Sequence, residues 1–132
     1  MVTTFYLDTS VAVKILFGDS ASAQGWFDDA VANASDSIIS SRLLRTELTR
    51  VLRREGRDVN ERDLVLDYVG IMRLDHAVLI GAEAIGPHIK TLDAIHLASA
   101  VRSGVDGLVV VSHDSNVRRV AEQLALSVYD PG

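Results

Sequence analysis

The segment "DGLVVVSHD", residues 106–114, contains four consecutive apolar residues after a glycine. A short apolar run of this kind is typical of a strand buried inside a sheet. Two further short runs, "TTFYL" and "DSIIS", alternate along the chain with longer stretches whose apolar residues recur at helical spacing. This alternation predicts a single α/β domain over residues 1–132, built around a mostly parallel sheet of four to five strands.

The helices are predicted from apolar periodicity and from capping residues. The first begins at Thr9 or Ser10, and the others span residues 20–32, 42–55, 60–70, 77–84, 91–103 and 116–124. Gly56 is expected to end the 42–55 helix, and Asn60 is expected to cap the next one. Further strands are predicted at "MRLDH" and, at an edge of the sheet, at "LSVYD".

The composition excludes several classes of site. The chain has no cysteine, so disulfides, thiolate nucleophiles and zinc–cysteine sites are excluded. The opening Met-Val-Thr-Thr lacks the basic region of a signal peptide, and no apolar stretch approaches the roughly 20 residues that cross a bilayer. We therefore expect a soluble, cytoplasmic protein without a membrane contact.

Charge is unevenly distributed along the chain. The net charge is −5, yet seven of the thirteen basic residues fall between Arg42 and Arg62. Such a basic segment on an acidic body is either a local phosphate-binding strip or a solvated helix face, and the sequence leaves both interpretations open.

Two acids stand where strands are predicted to end. Asp8 closes the first strand, and Asp114 follows the strand of residues 108–111. Ligands of open parallel sheets collect at the carboxyl ends of the strands, so both acids are candidate site residues. Each also precedes a predicted helix, and capping of that helix is an alternative role. Three hydroxyl residues lie beside the two acids: Thr9, Ser10 and Ser112.

Two more acids lie on helices that should face the core. Asp93 is in the first turn of the nearly apolar "TLDAIHLASA", where a carboxylate is costly to bury, although it also offsets the helix dipole. Glu47 borders the apolar face of the 42–55 helix. Its structural alternative is a partly buried salt bridge with Arg50 or Arg54.

The four carboxylates could converge at one end of the sheet. Carboxylates that repel one another are costly without a cation between them, and oxygen ligands favour Mg²⁺ or Mn²⁺. A carboxylate-held ion can activate water against a phosphodiester, and a second ion can stabilise the leaving oxygen. The residues thus suggest a metal-dependent phosphodiesterase site.

Four segments that carry these acids resemble, in order, the motifs of PIN-domain proteins, specifically VapC-type toxins of toxin–antitoxin pairs. The segment "LDAIHLASA" is the most specific of them. The four segments are "YLDTSV" with Asp8, "SSRLLRTELTRVL" with Glu47, "LDAIHLASA" with Asp93, and "VVSHDSNVRRVAEQLALSV" with Asp114.

The resemblance implies a three-layer α/β/α fold and an endoribonuclease that needs Mg²⁺ or Mn²⁺. It implies that Asp8, Glu47, Asp93 and Asp114 bind the metal and are catalytic. Thr9, Ser10 and Ser112 would orient these acids or a water molecule. The implied partners are an RNA substrate, a VapB-type antitoxin that occupies the active site, a second copy of the chain in a homodimer, and operator DNA through the antitoxin alone.

Other roles follow from charge and exposure. Lys90, Arg45 and Arg50 are candidates for contact with substrate phosphates. His96 is expected to make a core or supporting hydrogen bond, with Asp93 as one possible partner. Seven apolar residues form the candidate surface for contacts with an antitoxin or a second copy of the chain, except where they lie in the core. They are Trp26, Phe27, Leu64, Leu66, Tyr68, Val69 and Ile71.

Two features depart from the resemblance. Asn116 occupies a region where some relatives carry a further acid, so one metal ion per site is as compatible with the sequence as two. The segment "QLALSV" lacks the glycine that many relatives have before the last strand.

Three alternative functions remain to be weighed. A catalytically silent PIN-like scaffold that binds antitoxin or RNA would share these motifs. A haloacid-dehalogenase-type phosphatase would need a second Asp where Ser10 stands. A receiver domain would need an acidic pair near the end of the first strand, where only Asp8 is present.

Overall fold

A computed structural model of the chain describes residues 2–132. Five strands form one sheet in the order β3-β2-β1-β4-β5, and every neighbouring pair is parallel. The predicted α/β class and the mostly parallel sheet are therefore confirmed, with five strands. The strands are β1 (Thr3–Leu7), β2 (Asp36–Ser41), β3 (Gly70–Met72), β4 (Val109–Val111) and β5 (Ser127–Tyr129).

Helices cover both faces of this sheet. The described residues form α1 (Thr9–Leu16), α2 (Ala21–Ala32), α3 (Arg42–Arg54), α4 (Asp63–Leu66), α5 (His76–Glu83), α6 (Thr91–Arg102) and α7 (Ser115–Gln123). No helix among residues 2–132 has the length and apolar character needed to span a membrane.

The two faces of the sheet carry separate apolar cores. Leu7 of β1 and Val111 of β4 pack with residues of α1 to α4, whereas Tyr6 and Val110 pack with residues of α6 and α7. Neighbouring residues of one strand point to opposite faces, so each inner strand supplies both cores. The result is the three-layer α/β/α arrangement that the resemblance implied.

The segment between α3 and α5 differs from its prediction. The helix predicted over residues 60–70 is wrong: Val59–Arg62 forms a 3₁₀ turn, and α4 lasts only four residues. Asp58, rather than Asn60, is the cap, because its side chain accepts the amide of Asn60. The strand predicted at "MRLDH" is also wrong, because β3 pairs Gly70 with Ile39 and ends at Met72.

Two helices end in the same left-handed turn. After α3, Gly56 has a φ of +66°, and the amide of the next residue donates to the carbonyl of Leu52 (2.9 Å). After α7, Ala125 has a φ of +63°, and the amide of Leu126 donates to the carbonyl of Ala121 (3.0 Å). Both are Schellman-type ends. Gly56 therefore ends α3 as predicted, and Ala125 occupies a position that favours glycine.

The candidate apolar surface divides between core and exterior. Phe27 and Val69 are buried, and Trp26 and Leu66 are partly buried. The other three residues of the set are exposed: Leu64 by 64%, Tyr68 by 55% and Ile71 by 41%. Only these three are available for a partner, and they lie on α4 and on or beside the edge strand β3.

Candidate active site

The four predicted acids come from four different parts of the fold. Asp8 directly follows β1, and Asp114 lies between β4 and α7. Asp93 is in the first turn of α6, and Glu47 is in the middle of α3. Asp8 and Asp114 thus stand at the carboxyl ends of neighbouring strands, the position at which parallel sheets bind ligands.

Asp8 is buried and held by two serines. Only 3% of the residue is exposed, and its Oδ2 accepts hydrogen bonds from Ser10 Oγ (2.6 Å) and Ser112 Oγ (2.8 Å). Although Asp8 occupies the N-cap position of α1, its carboxylate does not bond the amides of that helix. Helix capping therefore does not explain why an acid stands here.

Glu47 makes its hydrogen bonds with a threonine and a histidine. Its Oε1 accepts from Thr9 Oγ1 (2.6 Å) and lies 2.6 Å from His96 Nε2. The alternative of a salt bridge to Arg50 or Arg54 is wrong, because within residues 2–132 Glu47 pairs with neither arginine and His96 is its partner instead. Glu47 is thereby tied to both α1 and α6.

Asp114 has the capping role that its sequence position allowed. Its Oδ1 accepts the amides of Asn116 (2.8 Å) and Val117 (3.2 Å) at the start of α7. Its own amide donates to Ser112 Oγ (3.0 Å), the same hydroxyl that bonds Asp8. Ser112 therefore links the two strand-end acids.

Asp93 has a different environment. It is half-buried, and among residues 2–132 no hydrogen bond reaches its carboxylate. Burial, followed by the negative charges of Asp8 and Asp114, raises its pKa to about 6, with Glu47 adding to the rise and His96 opposing it. The charges of the other three acids therefore act on Asp93.

Three of the acids share one arrangement of their oxygens. In Asp8, Glu47 and Asp114, one oxygen accepts two hydrogen bonds. Within residues 2–132, no hydrogen bond reaches the second oxygen of any of them. The oxygens without a partner are Asp8 Oδ1, Glu47 Oε2, Asp114 Oδ2 and both oxygens of Asp93.

This donor set fits a hard divalent cation. Carboxylate oxygens are the ligands that Mg²⁺ and Mn²⁺ prefer, and a cation would offset the repulsion that, after burial, raises the pKa of Asp93. Within residues 2–132, however, no three acid or histidine side chains are close enough to form a ready-made metal cluster. The side chains would have to close around an ion.

The residues predicted to contact substrate phosphates are separated from these acids by different numbers of residues along the helices. Lys90 is exposed at the N-terminus of α6, three residues before Asp93. Arg50 is exposed on α3, one turn after Glu47. Arg45 is two residues before Glu47 and so lies on another side of α3. Helical spacing thus favours Lys90 and Arg50 over Arg45 as candidate neighbours of the acids.

From the sequence, Tyr6 was missed as a residue of the site and His96 was given the wrong hydrogen-bond partner. His96 is 1% exposed and bonds Glu47, Thr9 Oγ1 (3.1 Å) and Tyr6 Oη (2.8 Å), rather than Asp93. Burial raises the pKa of Tyr6 above its ordinary value, so the phenol keeps its proton. The available signal was a histidine in an otherwise apolar helix, one turn after an acid.

The comparison with known families agrees with this arrangement. The PIN domain family matches residues 5–123, which include all four acids. The chain belongs to the PIN-domain family. The resemblance recognised from the four motifs is therefore confirmed.

Individual PIN-domain relatives match nearly the whole chain. It is 32% identical to Ribonuclease VapC46 of Mycobacterium tuberculosis over 98% of this chain and 99% of that protein. It is 30% identical to Ribonuclease VapC47 of the same species, over 96% of each chain. The crystal structure of VapBC2 from Rickettsia felis, bound to a DNA fragment from its promoter, matches with a TM-score of 0.77. That match has 14% identity over 97% of this chain and 98% of the other, and it shows a shared fold.

Proposed function

We propose that this PIN-domain protein is a metal-dependent endoribonuclease and the toxin of a VapBC-type toxin–antitoxin pair. The observation that carries the proposal is the arrangement of the acids. Within residues 2–132, three carboxylates each keep one oxygen free of hydrogen bonds, and Asp93 keeps two. The names of its nearly full-length relatives, which are ribonucleases, support the choice of reaction.

Asp8, Glu47, Asp93 and Asp114 are the residues that would hold Mg²⁺ or Mn²⁺, as one ion or two. A bound ion would supply an activated water and would stabilise charge on the phosphate. Ser10 and Ser112 fix Asp8, and Thr9 fixes Glu47, so the hydroxyls restrict how the acids can turn.

RNA would approach the acids along basic side chains. Lys90 and Arg50 are exposed and flank Asp93 and Glu47 in sequence, so they are the preferred contacts for substrate phosphates, with Arg45 as a more remote contact. A local basic strip is needed because the chain as a whole carries a net charge of −5 and would otherwise repel RNA.

We propose a VapB-type antitoxin and a second copy of the chain as its protein partners. The VapBC2 complex of Rickettsia felis, bound to promoter DNA, supports the first, and contact with operator DNA would come only through the antitoxin. The exposed residues Leu64, Tyr68 and Ile71 are the candidate contacts for either partner. We place the protein in the cytoplasm, with its RNA substrate.

Cleavage of an end-labelled, structured RNA pool tests the reaction. Protein freed of antitoxin should cut in Mg²⁺ or Mn²⁺ and should stop in EDTA. Asp93→Asn should abolish cutting. The matched variant Asp106→Asn removes one exposed carboxylate from the loop before β4 and should cut as the wild type does.

The opposite outcome would favour the alternative function. A folded protein that binds Mn²⁺ and retains RNA, yet cuts none of it in any metal, would be a silent scaffold. Equal activity of wild type and Asp93→Asn would also contradict the proposal, because the cutting would then come from a contaminant or from another site.

A further inference from the structure

His96 joins four elements of the fold at one buried point. The residue belongs to α6, and its imidazole contacts Tyr6 of β1, Thr9 of α1 and Glu47 of α3. Only 1% of His96 is exposed, so its ring has no bulk water with which to exchange these partners. Buried polar groups of this kind hold a fixed hydrogen-bond pattern.

The partners determine which ring nitrogen donates. A carboxylate can only accept, so Nε2 must carry a proton and donate to Glu47 Oε1 (2.6 Å). In a neutral ring Nδ1 then accepts, and the Tyr6 hydroxyl donates to it (2.8 Å). The Thr9 hydroxyl donates to the same Oε1 (2.6 Å).

Both donors therefore converge on one oxygen of Glu47. Oε1 receives Nε2–H and the Thr9 hydroxyl, whereas no hydrogen bond from residues 2–132 reaches Oε2. The Glu47 side chain is 21% exposed, so this carboxylate is not enclosed by the core. The two hydrogen bonds fix the carboxylate plane and leave one defined oxygen for a ligand.

We propose that His96 is a positioning residue that, together with Thr9, holds Oε1 of Glu47 and leaves Oε2 to bind the metal. This inference rests on the proposed metal-dependent function. Removal of a residue that hydrogen-bonds to a metal ligand commonly weakens metal binding about 10–100-fold. His96 should therefore control affinity for the metal without touching it.

Two substitutions separate this role from simple packing. His96→Gln can place an amide nitrogen near the position of Nε2, so it retains the donor to Glu47 and loses the contact with Tyr6. His96→Asn reaches only the position of Nδ1, so it retains the Tyr6 contact and loses the donor. His96→Gln thus loses the contact of Nδ1 with Tyr6, and His96→Asn loses the contacts of Nε2 with Glu47 and Thr9. If His96 served packing alone, neither variant would change metal affinity more than the other.

The readout is Mn²⁺ affinity, measured by titration calorimetry on the full chain, with thermal unfolding as a check of folding. We expect about tenfold or greater weakening in His96→Asn and less than about threefold in His96→Gln. Equal affinities in the two variants would overturn the positioning role. A wild type that binds no Mn²⁺ would overturn both this inference and the proposed function.

A second pair of variants applies if His96→Asn does not fold. Thr9→Val removes the other donor to Oε1, and Thr9→Ser keeps it with one methyl group fewer. Thr9→Val should weaken Mn²⁺ binding about tenfold, with Thr9→Ser close to the wild type. The same affinity in both would show that Oε1 need not be held, which would contradict the proposal.

Discussion

At the scale of single residues, Asp93 combines a cost to stability with a proposed function. Its pKa rises from 3.8 to about 6 through burial and through the charges of Asp8 and Asp114. A raised pKa means that the folded state disfavours the ionised carboxylate. The residue that the proposed metal needs in its charged form therefore destabilises the metal-free protein.

Stability of the metal-free protein should consequently depend on pH through Asp93. The folded carboxyl binds its proton more tightly than the unfolded one, so stability falls as pH rises from about 4 to about 6 and then levels off. Asp93→Asn cannot ionise. In EDTA, it should gain about 1 kcal/mol relative to the wild type between pH 4 and pH 7, after allowance for the partial exposure of Asp93.

Urea unfolding of both proteins at several pH values measures this difference, and the comparison cancels the titration of the other acids. Mg²⁺ should reverse the order at pH 7, because a ligand that binds only the folded wild type stabilises it. A difference between the two proteins that stays constant from pH 4 to pH 7 would contradict the electrostatic account.

The positions of the acids and of their hydroxyl neighbours could be predicted from sequence, but the histidine partner of Glu47 could not. Asp8 and Asp114 follow strands, so the topology alone brings them to one edge of the sheet. The bond between His96 and Glu47 spans 49 residues and depends on how α3 and α6 pack together. Local pattern does not contain that information, and a salt bridge within α3 was the alternative that a local analysis could offer.

At the scale of elements, helices α3 and α7 both end at a residue in the left-handed conformation, and the two ends can be compared directly. Gly56 after α3 and Ala125 after α7 have nearly the same φ, +66° and +63°. A left-handed residue with a Cβ costs roughly 1–2 kcal/mol, whereas glycine avoids that cost. The turn after α7 has Ala125 instead of the glycine expected before the last strand, and it therefore lowers the stability of the fold.

Placing glycine at position 125 and alanine at position 56 should change the free energy of unfolding in opposite directions. Ala125→Gly should raise the free energy of unfolding by about 1 kcal/mol, and Gly56→Ala should lower it by about the same amount. Apart from the adjacent residues, no heavy atom of residues 2–132 lies within 4 Å of the position that a Cβ of residue 56 would take, so this substitution tests conformation rather than packing. Thermal or denaturant unfolding measures both changes, and a destabilised Ala125→Gly would contradict this explanation.

The elements that sequence predicted well are those with long, continuous patterns. Helices α3 and α6 have apolar rows several turns long, and β1 and β4 are buried on both faces. Strand β3 has three residues, begins at a glycine and pairs on one side only. Its position is fixed by pairing with β2, a non-local contact, and so "MRLDH" was an equally reasonable choice.

At the scale of the whole molecule, charge is separated between an acidic body and a basic α3 segment. Arg57 pairs with Glu61, and Arg54 pairs with Glu55, so the end of this segment is partly neutralised. Among residues 2–132, Arg50 has no acidic partner within 4.0 Å of its guanidinium. Arg50, as an unpaired cation one turn from Glu47, should therefore interact with a phosphate more strongly than the paired Arg57.

Salt dependence of RNA binding tests this distinction. In the non-cleaving Asp93→Asn background, Arg50→Gln should reduce the slope of log K against log salt by about 0.7, as expected for one lost phosphate contact on a single strand. Arg57→Gln removes the same charge from a paired site and should leave the slope nearly unchanged. Equal slopes for the two variants would indicate that only net charge matters.

The central claim is that the four carboxylates hold a divalent metal ion. Anomalous diffraction from a crystal soaked in Mn²⁺ tests it most directly. The account predicts a peak among Asp8, Glu47, Asp93 and Asp114, with Oε2 of Glu47 facing the ion and Oε1 still bonded to His96. A fully soaked crystal with no peak among these acids, in a protein that nevertheless cuts RNA, would contradict it.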